Sequence, residues 1–113
     1  MIGIIGGIGP MAGIDLYKKV VEQTVAHRDQ DHVPVLLASI PHEIVDRTEY
    51  LLGKTTENPA SALARIISLL ENAGATQIGI ACNTAHAPRI FDPMCHLLQQ
   101  NGINRALFDT ATL

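Results

Sequence analysis

Ile78-Gly79-Ile80-Ala81-Cys82-Asn83-Thr84-Ala85-His86 is the stretch on which the fold turns. Its apolar half reads as a buried strand, and it stops abruptly on a thiol followed by small polar residues. Such a hand-over leaves Cys82 at the carboxyl edge of a sheet, among backbone N–H groups, where open α/β sheets hold their ligands. A free thiol titrates near ~8.5, and the positive end of a helix start favours its thiolate. Asn83 and Thr84 add short side chains that can donate hydrogen bonds to an oxyanion or a carboxylate. On these residues alone, Cys82 is either a base beside its own anion site or an inert buried cysteine, cysteine being among the most buried residue types.

Outward from this strand the chain alternates regularly. Residues 1–5 form a short apolar strand, and Gly6-Gly7-Ile8-Gly9-Pro10-Met11-Ala12-Gly13 a loop. Residues 14–28 carry Ile14, Leu16, Tyr17, Val20, Val21, Thr24 and Val25 at helical spacing. Residues 33–40 are nearly all apolar, as suits a parallel strand covered on both faces, and 40–57 make a long polar connection. Asn58-Pro59 is a helix start, an N-cap with proline at the first helical position, and Leu63, Ile66, Ile67 and Leu70 continue the face until Gly74. After the strand ending at Cys82, Asp92-Pro93 repeats the start signal, Leu97 and Leu98 give the buried side, and Gly102 stops the helix before a fourth strand at 103–108. The order βαβαβαβ predicts an α/β fold: a parallel sheet of about four strands with right-handed crossovers and helices on both faces.

At 113 residues, with 47% hydrophobic and 17% charged, the chain makes one domain, 1–113, able to bury roughly two-thirds of its unfolded surface. A net charge of −3 with no basic cluster leaves no electrostatic footprint for nucleic acid or an anionic membrane, so neither partner is expected. The uncharged start, residues 1–14, is broken by glycines and Pro10 and falls short of the ~20 residues a spanning helix needs. A cytoplasmic protein is expected. Two cysteines without metal-type spacing argue against a disulfide scaffold and a metal site alike.

Two glycine patterns imitate nucleotide motifs. Gly7-Ile8-Gly9-Pro10-Met11-Ala12 satisfies the loose dinucleotide fingerprint, but the second strand ends in Ser39-Ile40-Pro41-His42 without the acidic residue that holds a ribose, and Pro10 removes a phosphate-binding N–H. An NAD-binding domain is a distant alternative. Gly53-Lys54-Thr55 resembles the end of a phosphate loop, but Thr48 stands at the first glycine position and no strand leads in.

Gly3-Ile4-Ile5-Gly6-Gly7-Ile8-Gly9-Pro10-Met11-Ala12, Asp46-Arg47-Thr48 and Cys82-Asn83-Thr84-Ala85-His86 together resemble the three N-terminal signatures of the aspartate/glutamate racemase family, of the aspartate and hydantoin racemase superfamily. The resemblance implies two similar α/β lobes with the site in the cleft between them, and inversion of the α-carbon of an acidic amino acid without pyridoxal phosphate or any other cofactor. It implies two cysteines on opposite faces of the substrate, one from each lobe. By resemblance Cys82 is the first acid/base, Asn83 and Thr84 hold the substrate carboxylate, and Met11 with its loop lines the pocket. Arg47 pairs with a substrate carboxylate, a task its planar fork suits. The family's second half, with its own strand-ending cysteine and a nearby lysine, has no counterpart here, so the chain is expected to be a truncated N-terminal lobe.

Other candidates are weaker. Cys95, expected in the first turn of a helix in a Met-Cys-His-Leu-Leu context, reads as core packing. His86 is either an auxiliary acid/base to Cys82 or a hydrogen-bonded neighbour of a helix start. His27, His32 and His42 read as solvated, and Arg47 otherwise as a surface cation.

Three functional readings follow. The chain is a racemase lobe needing a complementary lobe; or it forms a homodimer in which two Cys82 thiols face one cleft, symmetric pairing being the commonest self-association; or it is an inactive lobe binding a small dicarboxylate or a partner protein.

Overall fold

The computed structural model describes residues 1–6, 9–44, 47–56, 58–81, 88–100 and 102, residues 47 and 48 by their backbone alone. Its elements in chain order are β1 (Ile2–Ile5), α1 (Pro10–Gln23), β2 (Val35–Ala38), α2 (Arg47–Leu51), α3 (Ala60–Asn72), β3 (Gln77–Ile80) and α4 (Pro88–Gln100), with short 3₁₀ turns at Asp29–Asp31 and Pro41–Glu43. The strands form one parallel sheet in the order β2-β1-β3, with Ile2 opposite both Val35 and Gln77. The expected strand at 103–108 lies outside the described residues.

Each face of the sheet is covered by a different helix. A Cβ on Gly79 of β3 would meet Leu16 of α1, whereas one on Gly3 of β1 would meet Leu70 of α3. α1 therefore covers one face and α3 the other, as right-handed crossovers require when the winding reverses direction at β1. The α3 face holds the main core, in which Ile5, Leu63, Ile66, Ile67, Leu70, Ile78, Ile80, Ile90, Met94 and Leu98 are all essentially inaccessible. At ~1.5–3 kcal/mol for each fully buried large aliphatic side chain, this cluster is the main source of stability.

The caps of α3 follow the sequence signals. Asn58 Oδ1 accepts the Ala60 N–H at 2.9 Å. At the other end Gly74 has φ +108°, and Ala75 N–H to Leu70 C=O with Gly74 N–H to Glu71 C=O closes a Schellman motif. The same motif at Gly53, φ +78°, ends α2 through Lys54 N–H to Glu49 C=O and Gly53 N–H to Tyr50 C=O. The apparent phosphate loop is a helix stop.

Four expectations need correction. α1 starts at Pro10 rather than residue 14, because proline at the first helical position needs no donor and has the right φ; Met11 is thus helical. Its buried face is narrower than the apolar spacing suggested: Gly13 is buried, Leu16 and Val20 are half-buried, and Ile14, Tyr17, Val21 and Val25 are exposed. The polar connection 40–57 contains α2 and a buried Ile44. α4 starts at Pro88, so Pro93 is interior and Cys95 lies mid-helix, 5% exposed in the core. A smaller difference concerns β2, which pairs only with β1 among the described residues and leaves Leu36 36% exposed.

Candidate functional site

The strand order places a topological switch point between β1 and β3. From the carboxyl end of β1 the chain turns into α1 on one face; from that of β3 it continues to α4, whose core lies on the other. Diverging connections of this kind open a crevice beyond the strand ends, the usual ligand position in open α/β sheets. Two hydrogen bonds carry the pairing to the lip of that crevice: Gly6 N–H to Ala38 C=O at 2.8 Å, and Ala81 N–H to Ile5 C=O at 3.2 Å.

The chain departs toward each of the three signature stretches from the carboxyl ends of the parallel strands. Gly6 begins the glycine-rich turn, Ala81 directly precedes Cys82, and the connection from β2 leads through Pro41–Glu43 to Arg47 at the first position of α2. Arg65 of α3 holds that connection by its Nη2 bond to Glu43 Oε2 at 3.1 Å. Met11, in the first turn of α1, is 71% exposed. Cys82, Asn83, Thr84 and His86 lie outside the described residues, as does the side chain of Arg47.

Beside these positions is a polar knot that sequence reasoning missed. Pro93 has no N–H, so the carbonyl of Arg89 four residues earlier has no partner within α4. Asn58 Nδ2 donates to that carbonyl at 3.1 Å and to the Tyr50 hydroxyl at 3.0 Å, while its Oδ1 caps α3. The Arg89 guanidinium in turn donates to the Leu51 carbonyl at 3.2 Å and stands 5.1 Å from the centroid of the Tyr50 ring. The signal was present in the sequence: an interior proline creates an orphan carbonyl, and Asn58 is a side chain with donors to spare.

The histidines divide. His27 and His42 are exposed, as expected, but His32 is half-buried and its Nδ1 is buried without a hydrogen-bond partner among the described residues. No group of three or more potential metal ligands occurs among the described residues, nor is any described helix long and apolar enough to cross a membrane.

Residues 5–92 match the sequence profile of the Asp/Glu/Hydantoin racemase family. Among solved structures, the chain is similar to the aspartate racemase of Picrophilus torridus, with 44% sequence identity and a TM-score of 0.68. The match covers 75% of this chain and 36% of that protein, so the chain spans little more than a third of its relative's length.

Proposed function

Because the chain belongs to the Asp/Glu/Hydantoin racemase family, we propose that it is the N-terminal lobe of a cofactor-independent racemase of an acidic amino acid, acting through Cys82 in the cytoplasm. The observation that supports this most is that the chain runs from the carboxyl ends of β1, β2 and β3, all at one edge of the parallel sheet, toward the three signature stretches. Racemisation removes a proton from one face of the α-carbon and returns one to the other. A single base on one side gives back the starting enantiomer, so two opposed acid/bases are needed.

In this reading the Cys82 thiolate takes the α-proton, and the electron pair left on the carbon delocalises into the substrate carboxylate. Asn83 and Thr84, with neighbouring N–H groups, stabilise that charge by donors already aimed at it. Arg47 neutralises a substrate carboxylate, Met11 lines the pocket, and His86 is an auxiliary proton carrier. The opposing acid then protonates the other face. Cys95 does not serve, since it is buried within α4 against the core. The second thiol comes from a complementary lobe or from Cys82 of a second copy in a homodimer.

Solvent-deuterium incorporation at Cα of L- and D-aspartate and glutamate, followed by proton NMR, tests this. Exchange with inversion that is lost in Cys82→Ser supports a two-base site made by self-association. Exchange with retention supports Cys82 as the lone base of a half-site. No exchange from the folded chain, alone or with a complementary lobe supplied, overturns the reading.

A further inference from the structure

The Tyr50, Asn58 and Arg89 knot does more than close a gap in α4. We infer that it positions α2, and with it Arg47, relative to the first turn of α4. This rests on the racemase reading above.

α2 has five residues, too few to be stable as a helix without outside support. Two of its groups, the Tyr50 hydroxyl and the Leu51 carbonyl, are held by Asn58 and Arg89, and the Tyr50 ring lies 5.1 Å from the Arg89 guanidinium. Arg47 stands one turn before Tyr50 in that helix, and Arg89 is the second residue of the helix that resumes straight after 82–87. The knot thus ties the backbone of Arg47, through α2, to the helix that follows residues 82–87 in sequence.

α4 does not need the knot to stay docked. Ile90, Met94, Cys95 and Leu98 already bury it against α3. Pro93 is what leaves the Arg89 carbonyl open to Asn58: any other residue there would occupy that carbonyl within α4. Asn58 and Arg89 are accordingly positioning residues that act through α2.

The test uses the full chain with Arg89→Met and Asn58→Asp. Arg89 is exposed, so Arg89→Met keeps the core intact even should Asn58→Asp fail to fold. Two quantities are read: the Kd of L-aspartate (or its KM, beside kcat, where turnover is present) and amide hydrogen exchange across residues 47–52. A weakening of aspartate binding by about tenfold is expected, the scale of one lost charge-assisted hydrogen bond, with kcat held within about twofold and faster exchange across 47–52. A folded Arg89→Met chain with wild-type affinity, or with wild-type exchange in α2, overturns the inference. A wild type that takes up no L-aspartate counts against the racemase reading instead, and the exchange rates then decide by themselves whether the knot holds α2.

Discussion

Gly13, in the first turn of α1, lies against Gly6 at the end of β1 so closely that a Cβ on Gly13 would stand 2.5 Å from the Gly6 Cα. Backbone therefore meets backbone where the helix crosses the strand end, and no flexible side chain is available to give way. The start of α1, which presents Met11, is set by this contact.

Gly13→Ala is accordingly expected to destabilise the chain by about 1–3 kcal/mol through overpacking, seen as a lower urea midpoint. Gly9→Ala is the control. Its φ of −118° suits any residue and no described residue lies within 4 Å of an added Cβ, so its midpoint should fall by less than that of Gly13→Ala, only by the smaller cost of alanine at an N-cap.

Asn58→Asp keeps the acceptor that caps α3 but loses the donors to Tyr50 and the Arg89 carbonyl. Each lost bond is worth about 0.5–1.5 kcal/mol net. Pro93→Ala restores an N–H within α4, so it should stabilise the Asn58→Asp chain more than the wild type, by about 1 kcal/mol in a double-mutant cycle. Equal effects in the two backgrounds would mean that the Asn58 bond to Arg89 contributes nothing.

The two cysteines should separate cleanly. Cys82→Ser is expected to lower racemisation or α-proton exchange by at least about 100-fold, the low end of what a positioned acid/base contributes. Cys95→Ser places a hydroxyl in the core and should lower stability while leaving the rate per folded molecule near wild type.

A fourth prediction concerns pH. The Arg28 Nη2 bond to Asp31, at 3.0 Å, holds the Asp31 carboxyl below its ordinary value of 3.8. A carboxyl lowered by folding adds stability that is present above its unfolded value and lost as pH falls through its folded one. Arg28→Ala should return the Asp31 titration, followed by carboxyl carbon NMR, toward 3.8. Because the pair is exposed, added salt should shrink the difference between the two chains.

The parallel α/β class was legible because four-residue apolar strands alternate with amphipathic segments and because Asn58, Gly74 and Gly102 are unambiguous punctuation. Helix starts were less legible. Asn58-Pro59 and Asp92-Pro93 carry the same local signal, yet the first opens α3 whereas Pro93 is carried inside α4. The difference is tertiary: Asn58, 31 residues upstream of Arg89, supplies the donor that Pro93 removes. The short helix α2 has too few residues to show a period, and it is held by the packing of Tyr50 and Leu51 against the core together with contacts to Asn58 and Arg89. Of the site, the edge of the sheet was legible from the apolar run ending at Ala81; the knot was not, because its members are scattered over α2, the turn before α3 and α4.

The parallel register has a consequence for how quickly the chain reaches this structure. Thr76 donates its backbone N–H to the carbonyl of Met1 across a sequence separation of 75, and β1 precedes in sequence both strands that flank it. Closing so long a loop costs little more at equilibrium than closing a short one, but the non-local pairing rewards the chain only late, which slows folding. Until Gln77–Ile80 arrives, Ile2–Ile5 offers an unpaired apolar margin to any other strand nearby. Speed of assembly and resistance to aggregation should therefore depend more on the β3 segment than on any residue beyond the carboxyl ends of the strands.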